Sequence, residues 1–148
     1  MNAMTEELRG AYIDEVSIGQ TAVFSKTITE TDIILFSGIS GDTNPLHLDA
    51  DYAATTPFKR RIAHGMLSAS LLSGVLGTKL PGPGCIYVSQ SLNFRAPVRP
   101  GDTVVARATV TRIDAARRQV VLETTCTVAD AVVLDGEALV MLPKRAPA

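Results

Sequence analysis

The sequence has few features of a redox, metal-binding or nucleic-acid-binding protein. Its two cysteines, Cys85 and Cys126, lie far apart and form no C-x-x-C spacing, so neither a zinc site nor a disulfide framework is predicted. A formal net charge of -1 creates no general attraction for nucleic acid or for a membrane surface. We therefore expect any anionic ligand to meet a local basic patch.

Long apolar runs and nucleotide-binding motifs are also missing. No stretch approaches the roughly 20 apolar residues that span a bilayer, and the first residues show no signal-peptide pattern. No dinucleotide-binding fingerprint, G-x-S-x-G elbow or regularly spaced set of metal ligands occurs. We expect a cytoplasmic protein with no redox cofactor, no metal, and no nucleic-acid or membrane partner.

The chain length and composition predict one domain. With 148 residues, of which 46% are apolar and 20% charged, the chain can bury one sizeable core. We assign this domain to residues 11–143. Residues 1–10 are expected to be a disordered or tag-derived tail, and residues 144–148 a short C-terminal tail.

The order of predicted elements indicates an α+β domain. Residues 21–29 are rich in β-branched side chains and predict a strand. Thr29 and Asp32 form a capping-box pattern before a short helix, which Gly38 and Gly41 are expected to end. Four longer strands, separated by turn signals, are predicted near the C-terminal end: residues 85–94, 102–113, 119–129 and 132–142.

Between these strands lies an apolar helix, predicted over residues 65–76. Burial of its six larger apolar side chains would contribute on the order of 10 kcal/mol. This is comparable to the net stability of a whole domain, about 5 to 15 kcal/mol. We therefore expect the sheet to wrap around this helix.

Both histidines lie in the polar segment that precedes the helix. The phrase Asp42-Thr43-Asn44-Pro45-Leu46-His47 is predicted to be an extended turn, because Pro45 disfavours a helical Asn44. The phrase His64-Gly65-Met66 then opens the helix, whose first N–H groups lack intrahelical partners. A carboxylate and an imidazole near such N–H groups can hold water beside a polarised carbonyl.

Three phrases resemble the MaoC-like hot-dog family, and most closely its (R)-specific enoyl-CoA hydratases. They are the six residues from Asp42 to His47 with the preceding Gly41, the run Ile62-Ala63-His64-Gly65-Met66-Leu67, and the run Gln90-Ser91-Leu92-Asn93-Phe94. The similarity extends over about residues 24–142. It implies a hot-dog fold, with a curved antiparallel sheet around a long central helix, and a homodimer or higher homo-oligomer.

The resemblance also implies roles for individual residues. Asp42 and His47 match the catalytic pair, and Asn44 matches an amide that helps to orient them. Gly65 matches the backbone N–H donor to a thioester carbonyl. Ser73 is similar to a helix serine that supports the aspartate, and with Leu76 it belongs to a segment that suits an acyl-pocket wall.

The implied substrate is an acyl-CoA thioester. Four basic residues are candidates for contacting its phosphates: Lys59, Arg60, Arg61 and Arg95. The expected reaction is the reversible syn addition of water to trans-2-enoyl-CoA, giving (R)-3-hydroxyacyl-CoA. We expect His47 to take the water proton and Asp42 to protonate the α-carbon, although a coupled pair also permits the opposite assignment.

Three alternatives stay open from the sequence. They are a (3R)-hydroxyacyl-ACP dehydratase, an acyl-CoA thioesterase and a non-catalytic acyl-thioester binding module. Acyl chain length does not follow from the sequence.

Overall fold

A six-stranded antiparallel sheet surrounds one long helix in the computed structural model, which describes residues 3–145. The helices are α1 (Ala3–Leu8), α2 (Glu30–Ser40), α3 (Pro45–Leu48), α4 (Ala50–Thr55) and α5 (Gly65–Thr78), with a 3-10 turn at Ile13–Glu15. The strands are β1 (Thr21–Thr27), β2 (Ile86–Gln90), β3 (Asn93–Phe94), β4 (Thr103–Asp114), β5 (Gln119–Val128) and β6 (Ala131–Met141). The sheet order is β1-β4-β5-β6-β2, and β3 also pairs with β6.

Helix α5 forms the centre of the core. It packs against β1, β4, β5 and β6, and its side chains Leu72, Val75 and Leu76 are almost completely buried. In β4 every second residue from Val104 to Val110 is buried, as expected for a strand with one face on the core. The predicted α+β domain with a sheet wrapped around the apolar helix is confirmed.

The wrapping of α5 is nevertheless incomplete in the single chain. Positions three or four residues apart form an exposed stripe: Met66, Ser70, Ser73 and Gly77. The side chain of Met66 is 54% exposed. The sequence predicted a fully enclosed helix because apolar residues occupy most of its circumference, whereas small and polar residues supply most of this stripe.

Helix α2 follows its predicted start but not its predicted end. The Thr29 side chain accepts a hydrogen bond from the Asp32 amide, and the Asp32 side chain accepts from the Thr29 amide, so the capping box is confirmed. The helix passes through Gly38 and ends at Gly41, where φ is 77°. Of these two glycines, only Gly41 adopts the left-handed conformation that ends a helix. Gly38 lies inside the helix, where a glycine lowers helix stability by only about 1 kcal/mol relative to alanine.

The prediction of an extended turn over residues 42–47 is wrong in its second half. Asn44 is non-helical, as expected before proline, with φ of -50° and ψ of 125°. Pro45, however, begins the one-turn helix α3, a position at which its missing N–H costs nothing. His47 therefore lies on a helical turn.

The first of the four predicted C-terminal strands divides into β2 and β3. Between them the backbone crosses closely over Gly136 of β6, where a Cβ atom would lie 1.8 Å from the carbonyl oxygen of Ser91. The three remaining strands lie where the sequence predicted them.

The expected N-terminal tail contains structure. Residues 3–8 form α1, and the Gly10 and Ala11 amides donate to the Pro83 and Pro81 carbonyls at 2.7 and 2.8 Å. At the other end, Arg145 forms an ion pair with Asp14 at 3.0 Å. Residues 1–2 and 146–148 of the two predicted tails lie outside the described residues. Within residues 3–145, no helix has the length and hydropathy needed to cross a membrane.

Candidate active site

A cavity of about 450 Å³ opens beside the N-terminal end of α5. The polar side chains along its wall are those of Asp42, His47, His64, Ser68 and Arg95, and the backbone of Gly65 also lines it. The rest of the wall is mainly apolar and includes Val98, Val133 and Leu134. The cavity thus combines a few convergent polar groups with an apolar lining, as ligand sites usually do.

His47 is buried and held in one tautomer. Its Nδ1 lies 2.8 Å from the carbonyl oxygen of Ile62, which can only accept a hydrogen bond. Nδ1 therefore carries the hydrogen, and in the neutral ring Nε2 has a free lone pair. Nε2 lies 3.9 Å from Asp42 Oδ2, a separation at which one water or hydroxyl group can contact both atoms.

The loop around Asp42 is fixed mainly by backbone contacts. Asp42 Oδ1 accepts from the Asn44 amide at 3.1 Å, and the Asp42 amide donates to Ser40 Oγ at 3.1 Å. The Asp42 carboxylate is 52% exposed in the single chain. One oxygen is thus used to shape the loop, and Oδ2 faces His47.

Asn44 acts through the local backbone. Its Oδ1 accepts from the Leu46 amide at 3.0 Å and caps α3, the turn that carries His47. Asn44 is exposed and does not line the cavity. Its predicted role in orienting the pair remains a prediction, with helix capping as the contact that would transmit it.

His64 joins the Asp42 loop to α5. Its Nε2–H donates to the Asp42 carbonyl oxygen at 3.0 Å and lies 3.2 Å from Ser37 Oγ. Its ring stacks on that of His47, with 3.8 Å between the centroids. His64 is therefore a hydrogen-bonding residue that connects the Asp42 loop, α2 and α5.

Asp42, His47 and His64 also form a candidate metal cluster, because one ligand atom from each lies within 4.8 Å of the others. His47 Nδ1 and His64 Nε2 both donate to backbone carbonyls, which leaves one nitrogen on each ring for any ligand. The expected absence of a metal stays a prediction.

Gly65 is the first residue of α5 and allows close approach to its N-terminus. No side chain caps this helix, so its first amides are available to a ligand and the helix dipole favours negative charge there. A Cβ atom at residue 65 would lie 2.6 Å from the ring of Phe94. A side chain at this position would therefore displace the ring of Phe94.

Ser73 and Leu76 do not line this cavity. Ser73 lies on the exposed stripe of α5, and Leu76 is buried in the core with 1% exposure. Among the described residues, no hydrogen bond joins Ser73 to Asp42, so the structure gives no contact for its predicted supporting role. The serine at the cavity is Ser68, which the sequence reasoning missed, although its position one helical turn after His64 was a usable signal.

The basic residues separate into two groups. Arg95 lies at the cavity, but its guanidinium binds both oxygens of Asp135, at 2.7 and 3.1 Å. This pairing lowers the pKa of Asp135. Arg95 is therefore already neutralised by a carboxylate.

The other basic residues surround a second depression of about 310 Å³. It is lined by Lys59, Arg60, Arg61, Arg99 and Glu30, together with Ala50 and Pro100. Arg61 pairs with Glu30 at 2.7 Å. Arg99, which the sequence reasoning missed, donates to the carbonyl of Phe58, a residue that also lines the first cavity. The two cavities therefore adjoin.

Cys85 and Cys126 are unsuited to act as nucleophiles. Both are free thiols, and burial raises the pKa of Cys126 to about 12 and also raises that of Cys85. A thiol that stays protonated is a poor nucleophile. Cys126 is buried and Cys85 partly buried, and both act as small apolar side chains.

The wrapped sheet, the central helix and the polar turn at its N-terminus define a domain with the hot-dog fold and a paired carboxylate and imidazole. The family model described as the MaoC like domain matches residues 14–132. The chain belongs to this family.

Named relatives cover most of the chain. The "(R)-specific enoyl-CoA hydratase" of Rhodospirillum rubrum is 60% identical over 134 residues, which are 90% of this chain and 93% of the relative. The "3-hydroxybutyryl-CoA dehydratase" of Methylorubrum extorquens is 51% identical over 142 residues, covering 96% and 90%. The solved structure of the (R)-hydratase from A. caviae has a TM-score of 0.84 at 46% identity, covering 86% of this chain and 98% of that one.

Proposed function

We propose that this protein is an (R)-specific enoyl-CoA hydratase, a hydro-lyase that adds water reversibly to trans-2-enoyl-CoA and forms (R)-3-hydroxyacyl-CoA. The observation that carries the proposal is the position of His47 Nε2, 3.9 Å from Asp42 Oδ2 in a cavity that also contains Gly65. The names of the two relatives describe the same reaction class.

In the proposed reaction a water molecule lies between the imidazole and the carboxyl group. His47 Nε2 removes a proton from the water as its oxygen bonds to C3 of the enoyl group. Protonated Asp42 delivers its proton to C2 from the same face, and the amide of Gly65 stabilises negative charge on the thioester oxygen. Transfer of the water proton from His47 to Asp42 restores the starting state.

The Ile62 contact identifies Nε2 as the nitrogen of His47 that exchanges protons in the proposed reaction. Because Nδ1–H donates to the Ile62 carbonyl, Nε2 of the neutral ring can accept a proton but has none to give. Half of the Asp42 side chain is accessible in the single chain. Bound substrate would cover it from the cavity.

The test is to replace each member of the pair. We expect Asp42→Asn and His47→Ala to lower kcat for crotonyl-CoA hydration by about 10² to 10⁴, the usual contribution of a general acid or base. Asp51→Asn, at an exposed site on α4, is the matched control and should keep its activity. Hydration that survives in both variants, or an (S)-product from the parent protein, contradicts the proposal.

A second candidate substrate is an acyl carrier protein thioester. A mitochondrial 3-hydroxyacyl-[acyl-carrier-protein] dehydratase of Solanum lycopersicum is 36% identical over 131 residues. Rates with crotonyl-CoA and crotonyl carrier protein at equal concentration separate the two. Release of free thiol would instead identify a thioesterase, and binding without turnover a non-catalytic module.

The phosphates of coenzyme A are proposed to bind at the second depression. Within residues 3–145, Lys59, Arg60 and Arg99 of this depression form no ion pair, whereas its fourth cation, Arg61, pairs with Glu30. Arg95, at the first cavity, pairs with Asp135. We propose a homodimer as the working form, with β2 at the free edge of the sheet as the contact. Ser73 and Leu76 stay predictions for the acyl pocket, and Ser73 can contact substrate only if a second copy closes the exposed stripe of α5.

The cytoplasmic location also stays a prediction.

A further inference from the structure

Two buried polar atoms at the candidate site have no hydrogen-bond partner. Within the described part of the chain, these are the only buried side-chain nitrogen or oxygen atoms of this kind, His64 Nδ1 and Ser68 Oγ. Both residues line the cavity, and neither atom has a role in the proposed transfer of protons. An unpartnered buried polar group is rare enough to require an explanation.

The hydroxyl of Ser68 is unusual for a serine inside a helix. Helical serine and threonine side chains commonly bond to a carbonyl three or four residues earlier. On α5 itself, Ser70 Oγ donates to the Leu67 carbonyl at 2.6 Å and Thr78 Oγ1 to the Gly74 carbonyl at 2.7 Å. Ser68 makes no such bond, although it is only 3% exposed.

His64 supplies a complementary acceptor. Its Nε2–H donates to the Asp42 carbonyl, so Nδ1 of the neutral ring has a free lone pair. Residues four apart at a helix lie on the same face, with about 5 to 6 Å between their Cβ atoms. One water molecule can therefore accept from or donate to Ser68 Oγ and donate to His64 Nδ1, which gives it the two or more polar partners that a buried water needs.

Ser68 also lies deeper along α5 than the reacting groups. Three residues separate it from Gly65, which corresponds to about 4.5 Å along the helix axis. The neighbouring wall is apolar and includes Val133 and Leu134. An alkyl chain that extended past Ser68 would displace the water and offer the hydroxyl no hydrogen bond.

We propose that Ser68, through a water shared with His64 Nδ1, is a specificity-determining residue that favours short acyl chains over long unbranched ones. The inference rests on the proposed hydratase function and deepens it by naming the substrate class. A short enoyl group leaves the bridging water in place, whereas an eight-carbon chain must leave two buried polar atoms unpaired.

The experiment measures kcat/KM for crotonyl-CoA and trans-2-octenoyl-CoA, under reducing conditions, in the parent protein and three variants. Ser68→Ala removes the hydroxyl and adds space, while Ser68→Cys removes most of the hydrogen-bonding demand at nearly constant volume. We expect the ratio of octenoyl to crotonyl kcat/KM to rise about tenfold in both variants, since a tenfold change corresponds to about one unmade hydrogen bond. Ser70→Ala, whose hydroxyl is already bonded within the helix, should leave the ratio unchanged.

The outcomes separate the inference from the proposed function. If the parent protein hydrates crotonyl-CoA but the ratio stays within about twofold in both Ser68 variants, Ser68 does not set specificity. A rise in Ser68→Ala alone assigns the effect to space and also overturns the inference. If the parent protein hydrates neither thioester, the proposed function itself fails. Melting temperatures check folding, and each Ser68 variant should melt within about 2 to 4 °C of the parent protein, because each loses about one water-mediated hydrogen bond.

Discussion

At the scale of single residues, His47 depends on two separate supports. The first support is the Ile62 carbonyl, which accepts from its ring, and the second is α3, the four-residue helix that carries its backbone. A helix this short has little intrinsic stability, so its cap contributes a large share of the order around His47. The cap is the side chain of Asn44.

We expect Asn44→Ala to lower both stability and turnover. Loss of the cap costs about 1 kcal/mol, which corresponds to a decrease of about 2 to 4 °C in Tm for a chain of this size. Displacement of His47 should lower kcat by about ten- to a hundredfold. Asn44→Ser retains a capping oxygen and should recover both quantities. Recovery of Tm without kcat would show that the amide itself, and not the cap, serves the reaction.

A side chain at Gly65 is expected to interfere with substrate binding at the N-terminus of α5. The Cβ atom of Gly65→Ala would meet the half-exposed ring of Phe94, which can move aside, and would also narrow the approach to the first amide of α5. We expect kcat/KM for crotonyl-CoA to fall about 10²-fold or more, as for loss of one oxyanion donor. The measurement is a rate and a melting curve for this variant.

The double variant Gly65→Ala/Phe94→Ala is the control for the steric contact with the ring. Removing the ring relieves the clash but leaves the methyl group at the amide. We expect the double variant to regain Tm lost by the single variant without regaining activity. Restored activity would attribute the defect to displacement of Phe94 and would contradict the assignment of the Gly65 amide.

At the scale of elements, the sequence predicted those parts whose signals are local. The capping box of Thr29 and Asp32, the apolar helix α5 and the long strands β4, β5 and β6 each have a signal within a few neighbouring residues. The one-turn helix α3 was missed because Pro45 disfavours helix in the residue before it and favours helix from its own position onward. Both statements are true, and only the second describes His47.

The sequence predicted the residues of the candidate site that belong to short motifs, but not the long-range contacts around them. Asp42, His47 and Gly65 belong to short phrases that the structure brings to one cavity. Arg99 reaches the basic depression through the Phe58 carbonyl, 41 residues away in sequence, and Asp135 meets Arg95 across 40 residues. No local sequence pattern indicates such pairs. The sequence therefore could not show which of the basic residues form ion pairs with a carboxylate.

The basic depression lined by Lys59, Arg60, Arg61 and Arg99 is expected to contribute to coenzyme A binding. We expect Lys59→Gln/Arg60→Gln to raise KM for crotonyl-CoA about tenfold at low salt with little change in kcat, because two charges that are proposed to bind phosphate are lost. The KM for crotonyl-pantetheine, which lacks the nucleotide, should not change. Arg117→Gln, on the exposed β4–β5 turn, is the matched control. An equal rise in KM for both thioesters would show that the loop shapes the acyl site instead of binding phosphate.

At the scale of the whole molecule, the two edges of the sheet differ in character. Edge strand β1 alternates between exposed and half-buried residues, and its exposed positions are mainly threonine and serine. Edge strand β2 exposes neighbouring apolar side chains, with Ile86 at 54%, Tyr87 at 39% and Val88 at 48%. An unpaired apolar edge strand is a site for pairing with another chain. The exposed stripe of α5 is a further surface that a second copy can cover.

We therefore expect a dimer that depends on β2. Ile86→Lys/Val88→Lys places charges at the proposed contact and should convert the dimer to a monomer at micromolar concentration, as measured by sedimentation velocity. The matched control, Val23→Lys, puts a lysine on the other edge strand at a residue that is 40% exposed and should leave the dimer intact. Folded chains associate and unfolded chains do not, so a higher protein concentration stabilises the folded state. The Tm of the parent protein should therefore rise with protein concentration, and the Tm of the β2 variant should not depend on it. A parent chain that sediments as a monomer, or a dimer lost equally in the Val23 variant, would remove β2 as the contact.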